Sequence, residues 1–295
     1  MKVLSLFDGI SCGRVALERA EIPVEVYNAY EIDKHAIQIS QKNWPDIRQH
    51  GDVTAADFTQ YKGVDLLMGG SPCQSLSIVQ SKTRQHLDGK SRLFFEFVRA
   101  LEEAKPKWFL FENVASMNEE SKSAISELLG CGPVFINSAV FSAQSRPRLY
   151  WTNIPLGALP AESEAVLGDV LEPEVDEKYF YNHNIIDIDM SKPVCGMLEP
   201  WNYAMMKRIY NPAFKSPTLT CVTGGNQQKK VMVNGRARKL TPLEYERLQT
   251  LPDNYTAGVS DGARYTGVGN GWTVDVIAWI LSHIPREDGV ETWML

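Results

Sequence analysis

The fold is decided by the first stretch of the chain, Lys2-Val3-Leu4-Ser5-Leu6-Phe7-Asp8-Gly9-Ile10-Ser11-Cys12-Gly13. Its apolar first half is typical of a buried strand, and residues 13–20 carry apolar side chains at helical spacing. A strand, a glycine turn and a helix in this order form the first unit of a parallel sheet wrapped by helices. Such sheets bind their ligands at the ends of the strands.

The same alternation continues through residue 155. Apolar, β-rich runs predict strands at residues 2–7, 24–30, 65–68, 108–111, 134–141 and 149–151. Helical spacing predicts helices at residues 13–20, 33–42, 92–104 and 119–129. We therefore expect an α/β fold with a doubly wound, mostly parallel sheet.

A second, smaller domain is expected at residues 156–235, where Pro, Asn, Asp and Gly replace the alternating pattern. Regular structure returns at Thr241-Pro242-Leu243-Glu244, where a capping residue, a first-turn proline and an acid predict a helix through Leu248. A last helix is predicted at residues 273–284. Residues 1–155 and 236–295 are thus expected to form one domain, interrupted by the second.

Composition excludes several classes of protein. The chain has 295 residues, 44% of them hydrophobic, which is enough for a packed core. No apolar run approaches the roughly 20 residues of a membrane helix, and the first residues do not resemble a signal peptide. The five cysteines are odd in number and scattered, without a CxxC pair. We expect a soluble cytoplasmic protein with no membrane partner, no disulfide framework and no metal site.

Charge is segregated along the chain. The net charge of −6 by itself argues against nucleic-acid binding. However, residues 205–239 contain eight basic residues and no acid, whereas residues 161–189 contain nine acids and one lysine. This segregation favours one anion-facing surface on an acidic protein, with an ordinary solvated face as the alternative.

The turn after the first predicted strand is a candidate cofactor site. Glu31 follows Gly9 by 22 positions, about the spacing at which an acid meets a ribose in dinucleotide folds. The turn lacks the full GxGxxG pattern, and S-adenosylmethionine has no phosphates that would require it, so this cofactor is favoured over NAD. Asp52 is expected to accept a hydrogen bond from the adenine amino group. The competing interpretation is an ordinary glycine-rich turn of an α/β protein.

A candidate nucleophile follows another predicted strand, in Gly69-Gly70-Ser71-Pro72-Cys73-Gln74. Pro72 fixes the backbone before the thiol of Cys73. By itself this cysteine is more typical of a small buried apolar residue. Three further polar motifs lie beside predicted strands or helices: Glu112-Asn113-Val114, Gln144-Ser145-Arg146-Pro147-Arg148 and Gly269-Asn270-Gly271.

Together these residues fit methylation of cytosine at carbon 5. A thiolate from Cys73 would add to carbon 6 and so activate carbon 5. A neutral Glu112 would stabilise the electron density that moves to ring nitrogen 3. Arg148 would hold the ring carbonyl, with Arg146 in support. A stacked base is out of reach, so the cytosine must be flipped out of the duplex, at a cost of roughly a few kcal/mol.

The chain resembles the DNA (cytosine-5)-methyltransferases over nearly its full length, with the motifs in that family's order. The matching motifs are FDGISCG, GGSPCQ, ENV, QSRPR, the run from Arg238 to Gln249, and GVGNG. The segments SLFDGI, GGSPCQSLSIV, SRLFFEF and LFENV look similar to the de novo branch of animal enzymes. Without chromatin-reading domains, the chain suits a bacterial or phage methylase.

The resemblance implies the S-adenosylmethionine-dependent methyltransferase fold, with residues 156–235 as a target-recognition domain that faces double-stranded DNA. It also implies that residues 71–92 form a mobile catalytic loop. The residues expected to bind the cofactor are Phe7, Asp8, Gly9, Gly13, Glu31, Ile32, Asp52, Val53, Pro72, Asn270 and Gly271. Those expected to contact DNA are Ser71, Gln74, Lys82, Arg84, Thr218, Gly224 and Gly225. One departure from the family is Gly271-Trp272, where many members have Ser and an aliphatic residue.

Other functions remain open from the sequence. A silent homologue would bind DNA or a partner without catalysis, although Cys73, Glu112, Arg146 and Arg148 are intact. Methylation of transfer RNA would use the same chemistry, but the Cys-Phe-Thr signature of that branch is replaced by Ser116-Met117-Asn118. An NAD enzyme would bind nicotinamide. The biological role is restriction-modification, protection of phage DNA or regulation, in the cytoplasm of a bacterium or a phage-infected host.

Overall fold

The chain folds around two β-sheets in a computed structural model that describes residues 1–71, 92–199, 204–222, 224 and 226–286. The first sheet has seven strands in the order β3-β2-β1-β4-β5-β7-β6. Their bounds are β1 (Lys2–Leu6), β2 (Val26–Tyr30), β3 (Arg48–Gln49), β4 (Leu66–Gly69), β5 (Trp108–Val114), β6 (Val134–Asn137) and β7 (Pro147–Thr152). Strands β1 to β5 pair in parallel, and β7 runs antiparallel between β5 and β6. The predicted doubly wound, mostly parallel sheet is confirmed.

Helices cover both faces of this sheet. They are α1 (Cys12–Arg19), α2 (Lys34–Asn43), α3 (Arg92–Ala104), α4 (Glu119–Leu129), α6 (Pro242–Leu248), α7 (Asp261–Asn270) and α8 (Val274–Ser282). The short helix α5 (Ala204–Lys207) lies instead between two strands of the second sheet, described below. Successive strand residues face opposite sides, so Val3 packs in one apolar cluster and Leu4 in the other. Because both faces are covered, the central strands consist mainly of apolar residues.

Two sequence predictions need correction. The strand predicted at residues 134–141 ends at Asn137, because the Asn137 side chain accepts a hydrogen bond from the backbone N–H of Ala139 and starts a turn. Helix α7 was not predicted, since its glycines at 262, 267 and 269 weaken the helical signal. Ser260 caps this helix by accepting from the backbone N–H of Ala263.

The predicted helix start at Thr241 is confirmed. The Thr241 hydroxyl accepts from the Glu244 backbone N–H at 3.2 Å, and the Glu244 carboxylate accepts from the Thr241 backbone N–H at 2.8 Å. Arg238 donates two further bonds to the same carboxylate, at 2.8 and 2.6 Å. These partners satisfy a fully buried charge at the base of α6.

The second sheet has five short strands in the order β12-β11-β10-β9-β8. They are β8 (Ile185–Ile186), β9 (Val194–Leu198), β10 (Arg208–Tyr210), β11 (Lys230–Val233) and β12 (Arg236–Lys239). A small apolar cluster beneath them includes Cys195, Ile209 and Met232. In the described part of the chain, no helix has the length and apolar character needed to cross a membrane. The domain limits proposed from the sequence stay a prediction.

Alanine at Gly269 should destabilise the fold, because its Cβ would lie 2.5 Å from the Thr220 carbonyl oxygen and 2.7 Å from the carbonyl carbon. We expect Gly269→Ala to lower the free energy of unfolding by about 2 kcal/mol. Gly262 lies in the same helix, and a Cβ there would meet nothing within 4 Å. Gly262→Ala should therefore raise stability by up to about 1 kcal/mol. Urea unfolding of both variants tests this, and equal changes would contradict it.

Candidate active site

A cavity of about 910 Å³ lies at the carboxyl ends of the parallel strands. Its wall is formed by the turn after β1, the ends of β2 and β4, the end of β5, the start of β7 and the connection from α7 to α8. Eleven site residues predicted from the sequence line it together: Phe7, Asp8, Gly9, Glu31, Ser71, Glu112, Arg146, Arg148, Gly224, Asn270 and Gly271. Residues that are distant in the sequence thus meet in one site.

The turn after β1 is held by Asp8. Gly9 and Ser11 adopt the left-handed backbone conformation, with φ of 57° and 62°. The Asp8 carboxylate accepts hydrogen bonds from the hydroxyls of Ser5 at 2.6 Å, Tyr27 at 2.7 Å and Ser11. Burial raises the pKa of Asp8 despite these donors. Asp8 therefore supports the turn through its own hydrogen bonds.

Glu31 has a fixed orientation at the end of β2. Its carboxylate accepts from the backbone N–H groups of Gly9, Ile32 and Asp33, each at 2.8 Å. These bonds tie the turn after β1 to the start of α2. The predicted cofactor-binding carboxylate is therefore rigidly placed on the cavity wall.

Four other predicted cofactor residues lie outside the described cavity wall. Asp52 is exposed, and hydrogen bonds from the backbone N–H and hydroxyl of Thr54 lower its pKa. Val53 is buried and Ile32 is exposed. Gly13 is buried in α1, where a Cβ would lie 2.7 Å from the Met68 methyl group, so it permits close packing of helix and sheet. Their roles toward a cofactor stay predictions.

Glu112 and Arg148 form an ion pair inside the cavity. In the antiparallel register of β5 and β7, Glu112 faces Tyr150 and Arg148 faces Val114, so the two charged residues are diagonal neighbours. Arg148 Nε lies 2.8 Å from Glu112 Oε1, within ion-pair distance, and each side chain is 13% exposed. Trp272 Nε1 donates to Glu112 Oε2 at 3.1 Å. Both carboxyl oxygens are thus engaged from different parts of the chain.

Arg146 has a structural position. It is 5% exposed, and its guanidinium donates to the carbonyls of Leu219 at 2.8 Å, Gly269 at 3.1 Å and Gly271 at 3.0 Å. Burial, with a smaller effect from Arg148, lowers the pKa of Arg146 to about 10. Arg146 therefore clamps the connection from α7 to α8 against the start of β7.

Two buried glutamines extend this clamp. Gln144 Nε2 donates to Gln249 Oε1 at 2.9 Å, and Gln144 Oε1 accepts from the backbone N–H of Leu219 at 2.8 Å. Gln249 Nε2 donates to the carbonyls of Val268 at 3.0 Å and Gly271 at 2.9 Å. The loop that carries Trp272 is thus fixed by Arg146, just before β7, and by Gln249, just after α6.

Three buried polar atoms lie on the cavity wall without a hydrogen-bond partner among the described residues. They are Ser71 Oγ, Asn113 Nδ2 and Gln228 Oε1. Ser71 and Asn113 are 5% and 2% exposed. Asn113 Oδ1 accepts from the backbone N–H of Val114 at 2.8 Å, which fixes the amide orientation. An unpaired buried polar group costs about 1–3 kcal/mol. A polar ligand in the cavity would give these atoms hydrogen-bond partners.

The residues predicted to contact DNA divide into two sets. Thr218 is half-buried and donates its hydroxyl to the Ser145 carbonyl at 2.8 Å. Gly224 is exposed, lines the cavity and has φ of 137°. Four further predicted DNA contacts lie outside the described residues: Gln74, Lys82, Arg84 and Gly225. The predicted nucleophile Cys73 and the predicted cofactor residue Pro72 also lie outside them.

The prediction that the eight basic residues share one anion-facing surface is wrong for at least two of them. Lys230 and Arg238 are each 1% exposed. Lys230 Nζ donates to the carbonyls of Asn226 at 2.9 Å and Gln228 at 3.1 Å, and Arg238 pairs with Glu244. Their N–H donors satisfy internal acceptors, which the one-dimensional charge pattern does not reveal.

Trp272 is a site residue whose contact the sequence did not predict. Its only signal was the departure from the family pattern after Gly271. The contact with Glu112 depends on the connection from α7 to α8 folding back over β5, a feature that no local pattern encodes.

Comparison with known proteins finds a matching family and similar relatives. The sequence model of the family described as "C-5 cytosine-specific DNA methylase" matches residues 1–131 and 160–286. The chain is 28% identical to the type II methyltransferase M1.ScrFI of Lactococcus lactis subsp. cremoris, over 94% of this chain and 76% of that protein. It is 27% identical to the type II methyltransferase M.HhaI of Haemophilus parahaemolyticus, over 96% and 94%.

Solved structures share the fold. The S. pombe Dnmt2 methyltransferase superposes with a TM-score of 0.72 at 21% identity, covering 95% of this chain and 97% of that chain. A putative DNA modification methyltransferase from an E. coli prophage gives a TM-score of 0.70 at 19% identity, covering 95% and 97%.

The two arginines of the motif should differ in what they stabilise. Arg146→Lys removes the planar group that donates to three backbone carbonyls, so we expect the free energy of unfolding to fall by about 3 kcal/mol. Arg148→Lys changes a cavity side chain and should lower stability by less than about 1 kcal/mol. Urea unfolding of both variants is the measurement, and a larger loss for Arg148→Lys would refute the division of roles.

Buried Lys230 should make stability depend on pH. Burial, aided by Lys229, lowers the pKa of Lys230 to about 7, below its unfolded value near 10.4. The unfolded chain therefore binds more protons between these values, and folding gains stability as pH rises from 7. Lys230→Met lacks the titrating group and should not show this gain. The difference in the free energy of unfolding between the parent and Lys230→Met should therefore shift by about 2 kcal/mol in favour of the parent from pH 7 to pH 9, measured by urea unfolding. A pH-independent difference would exclude this titration.

Proposed function

The chain belongs to the C-5 cytosine-specific DNA methylase family, and on this premise we propose that it transfers a methyl group from S-adenosyl-L-methionine to carbon 5 of a cytosine flipped out of double-stranded DNA. The observation that carries the proposal is the Glu112–Arg148 pair in the cavity that Glu31 also lines. Gly70 and Ser71, which lead directly to Cys73, line the same cavity. This arrangement supports an acid, a cation and a thiol acting on one base.

The cavity fits the cofactor as well as the base. Its volume of about 910 Å³ is at the upper end for a ligand pocket. The rigid Glu31 carboxylate suits ribose hydroxyls, and the wall from Phe7 to Gly9 and at Asn270 would hold the remainder of the cofactor. Ser71 Oγ and Asn113 Nδ2 supply polar atoms for bound ligands. When bound, S-adenosyl-L-methionine supplies an electrophilic methyl carbon on a sulfonium and becomes S-adenosyl-L-homocysteine.

The protein's own residues prepare the base. The thiolate of Cys73 forms a bond to carbon 6, and the ring electrons move toward nitrogen 3. Glu112 donates a proton to that nitrogen, which requires a proton on its carboxyl group when the base is bound. Arg148 holds the ring carbonyl. Its Nε pairs with Glu112 and its Nη1 donates to the Pro147 carbonyl, in a group with five N–H donors.

The same residues complete the reaction. After carbon 5 has gained the methyl group, a water molecule takes the proton from that carbon. The electrons of this C–H bond restore the double bond between carbons 5 and 6, and the bond from carbon 6 to Cys73 sulfur breaks. The proton on nitrogen 3 returns to Glu112. Cys73 and Glu112 thus end the cycle in their starting states.

We propose residues 156–235 as the target-recognition domain, with double-stranded DNA bound at Thr218 and at Gly224, which lines the cavity. Ser71, Gln74, Lys82, Arg84 and Gly225 are proposed as further DNA contacts. Phosphate contacts from lysine and arginine would position the duplex. The likeness to type II methyltransferases supports a role in restriction-modification, in a bacterial cell or phage-infected host.

Covalent trapping tests the function. Purified protein should transfer a labelled methyl group from S-adenosyl-L-methionine to duplex DNA. A duplex with 5-fluorocytosine should leave a stable adduct, since fluorine cannot depart as a proton. Cys73→Ser should abolish the adduct, and Glu112→Gln should slow methyl transfer by about 100-fold or more. Cys131→Ser, outside the cavity, serves as the matched control and should retain activity. Absence of both transfer and adduct in the parent protein would falsify the proposed function.

A further inference from the structure

We propose that Trp272 is a positioning residue that holds the Glu112 carboxyl group in the orientation needed to donate to ring nitrogen 3 of the cytosine. This inference rests on the proposed function. It is carried by the bond from Trp272 Nε1 to Glu112 Oε2, at 3.1 Å, inside the cavity.

An ion pair and a hydrogen bond from different elements fix the plane of this carboxyl group. Arg148 Nε on β7 holds Oε1 at 2.8 Å, while the indole on the connection from α7 to α8 holds Oε2. An indole N–H is a donor only. The indole can therefore donate to one carboxyl oxygen of Glu112 in both protonation states of the carboxyl group. It cannot accept the proton of that group. Trp272 fixes the direction of the group and leaves the acid function to Glu112.

The end of β4 is shaped to permit this contact. A Cβ at Gly70 would lie 2.9 Å from Glu112 Oε2 and 3.3 Å from Trp272 Nε1. Any side chain at this position would push the carboxyl group and the indole apart. Gly70 therefore has a steric role in the hydrogen bond, in addition to leading the chain toward Cys73.

The backbone on both sides of Trp272 is also fixed. The Gly271 carbonyl accepts from Arg146 at 3.0 Å and from Gln249 at 2.9 Å. The Thr273 hydroxyl donates to Gln249 Oε1 at 2.7 Å. The indole is thus presented to Glu112 from a preorganised loop, as a positioning role requires.

Another role for Trp272 is to bind only the cofactor, since it lines the same cavity. The two roles differ in a reaction that needs no methyl donor. When Cys73 adds to carbon 6 and Glu112 protonates nitrogen 3, carbon 5 can take a proton from water. Carbon 5 then loses its original hydrogen, and Cys73 leaves carbon 6. The original hydrogen has thus been exchanged for one from solvent. This exchange requires a correctly oriented Glu112 but no S-adenosylmethionine.

The test is Trp272→Phe, which keeps an aromatic ring and removes the donor. We expect tritium release from carbon 5 of cytosine in duplex DNA, measured without S-adenosylmethionine, to fall about tenfold, the kinetic equivalent of one lost hydrogen bond. Single-turnover methyl transfer should fall by the same factor. Binding of S-adenosylmethionine should change by less than about threefold. Trp279→Phe, a partly buried indole outside the cavity wall, is the matched control and should alter neither rate.

Gly70→Ala provides a second route to the same loss, because it separates the two groups without removing the indole. A tenfold loss of exchange in either variant, with cofactor binding retained, would support the inference. Normal exchange with impaired methyl transfer would overturn it and assign Trp272 to the cofactor, while the proposed function stands. If the parent protein catalyses neither reaction, the proposed function fails and this inference fails with it.

Discussion

The active site depends on one backbone carbonyl, that of Gly271, which accepts hydrogen bonds from both Arg146 and Gln249. These donors come from the start of β7 and the end of α6, whereas the acceptor lies between α7 and α8. Apolar packing alone has no directional preference, but a carbonyl with two buried donors has a defined orientation. This constraint brings the loop with Trp272 over β5 and so completes the surroundings of Glu112.

The clamp also explains why two arginines two positions apart have different surroundings. Arg146 is buried and donates to backbone carbonyls, so its guanidinium holds the loop in place. Arg148 reaches the cavity and meets a carboxylate there. Rigid support beneath a partly open catalytic pair is the arrangement that preorganised catalysis requires.

Much of the first sheet could be predicted from the sequence because its signals are local. The run from Lys2 to Leu6 is apolar, the turn at Gly9 is tight, and Thr241 with Glu244 forms a capping box. Where local signals compete, prediction failed. The amide of Asn137 ended a β-rich run early, and three glycines concealed α7.

By itself, the sequence determined the α/β class and the set of chemical groups, because periodicity, glycine turns and motif residues are properties of short segments. Tertiary structure decided which groups meet and which are buried. It enclosed Lys230 and Arg238 within a segment that appears uniformly basic, and it placed the Trp272 indole on Glu112 across 160 positions. Burial and hydrogen bonding depend on partners that are distant in the chain, so no pattern of neighbouring residues specifies them.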